Sequence, residues 1–209
     1  MTNKEIINIL DNYIRNPVCE LKYTKDYELL ISVLLSSQST DKRVNSVTSI
    51  LFNKYYSLSK LNDASIKDIE RIIYPVGTYK KKASYIKGLV NILINDYNGI
   101  VPKDIDSLEK LPGVGRKTAS VFLLEFYNIP TMPVDTHVFR VSKRLKITNL
   151  EDDILKTEEK LKKFFPKNLW SRVHLQLVLF GRYTCKSRNP KCEKCPFNKK
   201  CNYKLEGRQ

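Results

Sequence analysis

Near the middle of the chain lies the segment SLEKLPGVGRKTAS, residues 107–120. Its pattern predicts a short helix, a tight turn over residues 112–115, and a second helix from about Arg116. Gly113 and Gly115 bracket a single valine, which lets the backbone approach a ligand closely. The N–H groups of the second helix can then point at a phosphate. An ordinary corner between two helices is the alternative, but this string is more specific than a corner requires.

The rest of the sequence follows a helical pattern. One apolar stripe, for example, has the spacing i, i+3, i+4, i+7, i+8, at Tyr27, Leu30, Ile31, Leu34 and Leu35. No alternating run is long enough to demand a sheet, so we predict an all-α fold of about ten helices with short loops. Helix starts are predicted at four aspartates: Asp26, Asp63, Asp104 and Asp135. Helix ends or turns are predicted at three glycines: Gly77, Gly99 and Gly181.

Lys117 lies at the predicted start of the helix that follows the turn, an unusual place for a cation. A helix N-terminus carries partial positive charge, and Arg116 adds another positive charge beside it. Both effects favour a neutral amine, which is a nucleophile. The alternative is a lysine that binds phosphate within the hairpin, and the local sequence leaves both interpretations open.

The position of Asp135 favours the interpretation of Lys117 as a nucleophile. Asp135 begins the next predicted helix, in VDTHVFRV at residues 134–141, and on structural grounds alone it would be an N-cap. It follows Lys117 by one helix and a turn, so antiparallel packing would return it to the same cleft. An amine and a carboxylate facing one cleft suit attack on a sugar carbon. The amine bonds to the anomeric carbon, and the carboxylate stabilises developing positive charge.

Four of the five cysteines form the pattern C-x6-C-x2-C-x5-C near the C-terminus, at Cys185, Cys192, Cys195 and Cys201. So dense a set needs a common partner. Structural zinc usually takes two close pairs, whereas only Cys192 and Cys195 are close here, so an iron–sulfur cluster is favoured. Zinc stays open. Two disulfides also stay open but are weaker, because residues 1–11 do not resemble a signal peptide.

The net charge of +15 on 209 residues favours a polyanionic partner, most often nucleic acid. An AT-rich genome, which inflates lysine codons, is the alternative. Residues 182–209 alone hold nine Lys or Arg against two acids. No apolar stretch approaches the ~20 residues of a membrane span. We therefore expect a cytoplasmic protein with no membrane partner.

Together these motifs resemble the endonuclease III family, bifunctional DNA glycosylases of the helix-hairpin-helix superfamily. The resemblance spans almost the whole chain in the family's order. Besides the cysteine pattern it rests on LLSSQSTD (34–41), VGTYKKKA (76–83), LPGVGRKTA (111–119), VDTHVFRV (134–141) and GRYTC (181–185).

The resemblance implies two domains. Residues 20–130 would form a six-helix barrel with the hairpin at about 108–120. Residues 1–19 and 131–209 would form an iron–sulfur cluster domain, in which the four cysteines of the pattern hold one 4Fe–4S cluster.

It also implies site residues. Lys117 would be the Schiff-base nucleophile, Asp135 the catalytic carboxylate and Glu109 a supporting acid. Gln38 would enter the gap left by a flipped nucleotide. The remaining DNA contacts would be Thr78 in the wedge loop and Gly113, Gly115 and Arg116 in the hairpin. The run Lys80-Lys81-Lys82 could be a solvated face, but its place beside the wedge loop favours contact with phosphates.

Three positions depart from the family pattern. Ser120 replaces a frequent asparagine, Thr78 a frequent apolar residue and Phe180 a frequent histidine. They bear on lesion preference and wedge strength rather than on the chemistry.

The expected function is excision of damaged pyrimidines from double-stranded DNA by a monomer, followed by β-elimination at the abasic site. The compartment would be cytoplasmic and bacterial in type, with the protein nucleoid-associated in use. One rival is an adenine-mismatch glycosylase, whose family usually has serine in place of the nucleophilic lysine. Another is a non-enzymatic DNA-binding iron–sulfur protein, which would need neither Lys117 nor Asp135.

Overall fold

The computed structural model describes residues 1–201 and 203, and this part of the chain is helical, without strands. It forms eleven α-helices and two short 3-10 turns, at Lys167–Leu169 and Cys192–Lys194. The α-helices are α1 (Asn3–Tyr13), α2 (Asp26–Leu35), α3 (Asp41–Lys54), α4 (Leu58–Asp63), α5 (Ile66–Ile73), α6 (Tyr79–Tyr97), α7 (Ile105–Glu109), α8 (Arg116–Tyr127), α9 (Thr136–Arg144), α10 (Ile154–Phe164) and α11 (Trp170–Tyr183). The all-α prediction is confirmed. Within the described residues, no helix combines the length and apolarity needed to cross a bilayer.

The chain divides into two compact units. One is Glu20–Ile129, and the other combines Met1–Cys19 with Pro130–Gln209. The first unit contains α2 to α8, of which α4 and α7 are only six and five residues long. The assignment of a barrel domain to 20–130 and a cluster domain to 1–19 and 131–209 stays a prediction.

Helix α2 lies at the centre of the unit Glu20–Ile129. Nine of its ten residues are buried, from Tyr27 to Leu35, and it packs against α3, α6 and α8. Apart from Glu28 and Ser32 these residues are apolar, and a helix that is apolar on nearly every side is stable only when it is enclosed in this way. Its C-terminal end is therefore fixed, and the turn that carries Gln38 starts from a rigid base.

Helix α11 has the central place in the other unit, where it packs against α1 and α9. Gly181 was predicted to end a helix, and this prediction is wrong because it lies inside α11. A Cβ atom at Gly181 would come 2.8 Å from the Cβ of His137, so glycine allows α9 and α11 to approach closely. This contact places the first turn of α9, next to Asp135.

Most predicted helix starts are confirmed. Asp104 and Asp135 are N-caps, and Asp26 is the first residue of α2. The predicted helix start at Asp63 is wrong, because Asp63 is the last residue of α4. The extended backbone after α4 moves the cap to Ser65, whose hydroxyl accepts a hydrogen bond from Asp68 N at 3.1 Å. The other two glycine predictions are confirmed, since Gly77 lies in the turn before α6 and Gly99 directly follows its C-cap.

Candidate active site and cysteine cavity

The hairpin joins α7 to α8 through a turn that depends on Gly113. Its φ of 75° lies in the left-handed region. A Cβ atom there would come 2.5 Å from Cδ2 of Tyr85 and 3.0 Å from Cδ1 of Leu34. Both the backbone and the packing therefore require glycine. The neighbouring Val114 is buried and anchors the turn.

Gly115 has a different role, because its φ of −96° is ordinary and a Cβ atom there would meet nothing within 4 Å. It is the N-cap of α8 and supplies no capping side chain. The first N–H groups of a helix need an outside partner, and an anion suits both them and the positive end of the helix dipole. The N-terminus of α8 is thus exposed at Gly115 and has no capping side chain.

Lys117 is the second residue of α8 and its side chain is exposed. Its amine makes no hydrogen bond or ion pair with any residue that the structure describes. Arg116 beside it and Glu109 at the end of α7 are also exposed. The amine is therefore accessible to a ligand held at the hairpin.

Asp135 caps α9 with one carboxylate oxygen. Its Oδ1 accepts hydrogen bonds from His137 N at 2.8 Å and Val138 N at 2.7 Å. Its Oδ2 accepts none from the described residues, so one oxygen anchors the half-buried group and the other is available. Lys117 and Asp135 belong to different units, and a shared cleft for them stays a prediction.

The structure brings the turns of Gln38 and Thr78 together. Gly77 N donates to Ser39 Oγ at 3.2 Å, and the Cβ position of Gly77 is 3.4 Å from Gln38 O. Gln38 and Thr78 are both exposed, and both have left-handed backbones, with φ of 56° and 55°. That conformation is unusual for glutamine and strained for a β-branched threonine. Strain of this kind concentrates at functional sites.

The run Lys80-Lys81-Lys82 does not act as one surface. Lys80 and Lys81 are exposed, but Lys82 is 4% exposed. Its Nζ donates to Leu35 O at 2.9 Å and to Ser37 O at 2.6 Å. Burial lowers the pKa of the Lys82 ammonium from its ordinary value. The predicted phosphate contact is therefore wrong for Lys82.

All four cysteines of the C-terminal pattern line one small cavity of about 20 Å³, which is partly open to solvent. The structure describes all five cysteines of the chain, and no disulfide joins any two of them. Nowhere in residues 1–201 or at 203 do three His, Cys, Asp or Glu side chains converge as they would on a single metal ion. Burial raises the pKa of the Cys195 thiol to about 11, so its thiolate needs a cation beside it.

Two arginines, Arg140 and Arg144, lie beside this cavity and were not predicted from the sequence. Arg144 Nη1 donates to Cys185 Sγ at 3.4 Å and to Lys186 O at 2.7 Å. Arg140 Nε donates to Cys185 O at 3.0 Å. The two arginines are four residues apart on α9 and so share one face. That spacing was the available signal, but it does not say what the face meets.

The family model described as HhH-GPD superfamily base excision DNA repair protein matches residues 31–167. Endonuclease III of Bacillus subtilis (strain 168) is 44% identical over 183 residues, which cover 88% of this chain and 84% of that protein. The chain belongs to the endonuclease III family. Two solved structures of this family, a trapped covalent endonuclease III–DNA intermediate with an estranged adenine and a non-covalent endonuclease III–DNA complex, have TM-scores of 0.93 and 0.94. Each is 41% identical and covers 99% of this chain and 98% of its own.

Membership of the endonuclease III family makes this chain a base excision repair DNA glycosylase with abasic-site lyase activity. The predicted family, fold class and enzyme class are confirmed. The predicted site residues and the domain roles stay predictions.

The three departures from the endonuclease III pattern differ in their surroundings. Phe180 is buried and packs edge-on against Tyr13 and Phe197, with ring centroids 6.0 and 5.3 Å apart. Ser120 is buried in α8. Thr78 alone is on the surface, so it is the departure that can change a contact with DNA directly.

Proposed function

We propose that this enzyme excises oxidised or otherwise damaged pyrimidines from double-stranded DNA and then cleaves the strand through a Schiff base on Lys117. The observation that carries the proposal is the exposed Lys117 amine, which has no partner among the described residues. It lies two residues from Gly115, where the N-terminus of α8 is left without a capping side chain. A related structure trapped as a covalent endonuclease III–DNA intermediate supports an intermediate of this kind.

The hairpin would hold the DNA backbone. The open space at Gly115 lets a phosphate approach the first N–H groups of α8, and Gly113 sets the turn that presents them. Arg116 adds a positive charge. These contacts carry no sequence information, but they position the enzyme. The damaged nucleotide then leaves the stack so that its sugar can reach Lys117.

In the chemical step, the neutral Lys117 amine attacks C1′ and the bond from C1′ to the base breaks. The base leaves with the bonding electrons, and a proton given up by the amine neutralises it. The available Oδ2 of Asp135 stabilises the positive charge that develops on the sugar. The C1′–O4′ bond then breaks as O4′ takes a proton from water, and the opened sugar is left with a protonated imine between Lys117 and C1′. Loss of a C2′ proton then expels the 3′ phosphate, and water releases the lysine.

Gln38 would fill the gap left by the extruded nucleotide, with Thr78 as a weak wedge beside it. Their exposure and their adjacent left-handed turns support this assignment. Unstacking a nucleotide costs a few kcal/mol, so a group that occupies the gap compensates directly.

Borohydride reduction tests the nucleophile. It should lock the wild-type enzyme onto a duplex that carries an abasic site, because it reduces the imine to a stable amine. Lys117→Ala and Lys117→Gln should form no adduct and cleave no strand. Lys110→Ala, which removes another exposed lysine of the hairpin, should still form the adduct. Trapping of Lys117→Ala at the wild-type rate would point to a different amine and overturn the proposal.

Asp135→Asn should separate the two activities. A pre-formed abasic aldehyde should still be trapped because Lys117 remains, whereas base excision should fall about 10²–10³-fold because the cationic transition state loses its carboxylate. Comparison of a duplex containing an oxidised pyrimidine with one containing an adenine mismatch tests the rival specificity. The related adenine-mismatch glycosylases usually have serine at the Lys117 position.

We also propose that Cys185, Cys192, Cys195 and Cys201 hold one 4Fe–4S cluster. The one cavity that all four of them line supports this set, and the guanidinium of Arg144 beside Cys185 suits a negatively charged group. When bound, the cluster would serve a structural role by fixing the basic segment between Cys185 and Cys192 for contact with DNA. The reaction itself needs only Lys117 and Asp135.

Metal and sulfide analysis tests the cluster. The purified protein should be yellow-brown, with iron and sulfide near four each per chain. Cys192→Ser should lose the colour, and the matched Cys19→Ser should keep it, because Cys19 does not line the cavity. A colourless protein that contains stoichiometric zinc would contradict the cluster and show that the four cysteines hold zinc instead.

The DNA-bound form would be a monomer, and its compartment the cytoplasm near the nucleoid. The high positive charge supports the DNA partner, since lysine and arginine release counterions from the phosphates. Binding should therefore weaken steeply with salt.

A further inference from the structure

The burial of Lys82 is explained neither by the reaction at Lys117 nor by contacts with DNA phosphates. Lys82 is the fourth residue of α6 and almost fully buried. No carboxylate pairs with it in the described part of the chain. Its ammonium instead donates to two carbonyl oxygens, Leu35 O and Ser37 O. Burying an ammonium is unfavourable unless it is well hydrogen-bonded, so this arrangement has to offset a real cost.

The two carbonyls lie at the C-terminal end of α2, where a helix leaves its last oxygens without internal partners. Leu35 is the last residue of α2, and Ser37 lies two residues further on. A cation is favourable at this end of the helix dipole. Lys82 therefore closes α2 from outside and fixes the path of the chain as it leaves the helix.

The residue that follows is Gln38, in its left-handed conformation. On one side, Ser37 O accepts from Lys82 Nζ at 2.6 Å. On the other, Ser39 N donates to Ser36 O at 3.1 Å, and Ser39 Oγ accepts from Gly77 N. Gln38 is thus held between two fixed neighbours while its own side chain is exposed. Such support is what keeps a strained backbone populated.

Lys82 reaches the second left-handed turn as well. Its backbone N donates to Thr78 O at 3.1 Å. One residue therefore binds the turn of Gln38 through its side chain and the turn of Thr78 through its main chain.

We propose that Lys82 is a positioning residue for base extrusion: its buried ammonium sets the turn that presents Gln38 to the gap in the duplex. The proposal rests on the role of Gln38 proposed above. It requires that loss of the ammonium slow extrusion while leaving the Lys117 chemistry and the backbone contacts in place.

The test is single-turnover excision by Lys82→Met, which keeps most of the unbranched stem and removes the donors. Excision of a damaged pyrimidine should slow about tenfold, because Gln38 is no longer held in its left-handed turn. Borohydride trapping on a pre-formed abasic site, where no base has to be extruded, should stay within about twofold of wild type. Lys82→Arg, which keeps the charge and the donors, should retain most of the excision rate.

Lys87→Met is the matched control. Lys87 lies on the same helix and also donates to a backbone carbonyl, that of Asn62, but away from both turns. A loss of stability similar to that of Lys82→Met, with unchanged excision, separates positioning from general stability. If Lys82→Met does not fold, Lys82→Gln, a shorter neutral side chain with two donors, takes its place.

Double variants decide whether Lys82 acts through Gln38. In a Gln38→Ala background, Lys82→Met should slow excision by less than about twofold, since the side chain to be positioned is already gone. A tenfold slowing in that background, or an equal loss of trapping at the abasic site, would overturn the proposal. If Gln38→Ala slows excision but Lys82→Met does not, only the role of Lys82 is lost. If Gln38→Ala leaves excision unchanged, the roles of Gln38 and Lys82 both fall, while the Lys117 assignment stands on its own test.

Discussion

Two regions of the unit Glu20–Ile129 place residues in the left-handed backbone conformation, one with a glycine and the other with larger residues. The hairpin turn uses Gly113 at a φ of 75°, where glycine is unstrained. The paired turns beside α6 use Gln38 and Thr78 at nearly the same φ. A residue with a side chain in this region is about 1–2 kcal/mol less stable than in its preferred conformations. The second solution is thus the less stable of the two.

The difference follows what each turn presents. The hairpin presents backbone N–H groups, so a side chain at Gly113 would only obstruct it. The turns of Gln38 and Thr78 present side chains at the surface, so glycine there would remove the useful group. The protein therefore keeps strain where a side chain is needed and avoids it where the backbone is enough.

The largest expected effect is at Gly113. Gly113→Ala combines left-handed strain with a Cβ atom 2.5 Å from the Tyr85 ring. We expect a loss of about 3 kcal/mol in the free energy of unfolding. For a chain of 209 residues the loss corresponds to a fall of roughly 6–12 °C in Tm. Thermal and urea unfolding measure it.

Gly115→Ala is the matched control in the same hairpin. Its φ is ordinary and its Cβ would enter open space, so the loss should be only the usual cost of alanine at an N-cap, about 0.5–1 kcal/mol. Its affinity for undamaged duplex should nevertheless fall, because the methyl group would stand where a phosphate approaches. Equal destabilisation by the two variants would mean that neither the backbone conformation nor the packing at position 113 requires glycine.

The same two regions mark how far the sequence could predict the molecule. The hairpin was predictable because its signal is local: proline, two glycines and the following helix lie within a few residues of one another. Helix periodicity and most N-caps are local too. The burial of Lys82 was not predictable, because three consecutive lysines look alike and its partner Leu35 is 47 residues away.

The contacts of the other unit show the same limit. Arg144 and Cys185 are 41 residues apart, and only the packing of α9 against α11 brings the arginine to the thiol. The cysteine pattern predicted a shared centre from spacing, but spacing says nothing about the cations around it. The left-handed φ of Gln38 likewise depends on tertiary partners, since glutamine carries no turn signal of its own.

The next largest effect is expected at Gln38, where two substitutions separate the role of the side chain from the strain of the backbone. Gln38→Ala and Gln38→Gly should both slow excision about tenfold or more, since both remove the group that fills the gap. Gln38→Gly should be about 1 kcal/mol more stable than Gln38→Ala, because glycine relieves the left-handed backbone. Single-turnover rates and urea unfolding give the two numbers. Adding Thr78→Leu, a stronger apolar wedge, should restore part of the rate to Gln38→Ala, and failure to do so would separate the two turns in function.

The smallest effect is at Thr78, where strain and function should trade against each other. Thr78→Gly relieves a β-branched residue at a φ of 55° but loses the hydrogen bond from Thr78 Oγ1 to Gly77 O at 2.7 Å. The net gain in unfolding free energy should be about 0.5–1 kcal/mol. Asn128→Gly, at a φ of 53° at the end of α8, should gain only a few tenths of a kcal/mol, because asparagine tolerates this region.

Excision by Thr78→Gly should fall about two- to threefold, less than at Gln38, because a short polar side chain wedges weakly. Excision by Asn128→Gly should not change. A stability gain no larger than that of Asn128→Gly would show that the turn of Thr78 stores no extra strain. The contrast with Gly113 would then rest on Gln38 alone.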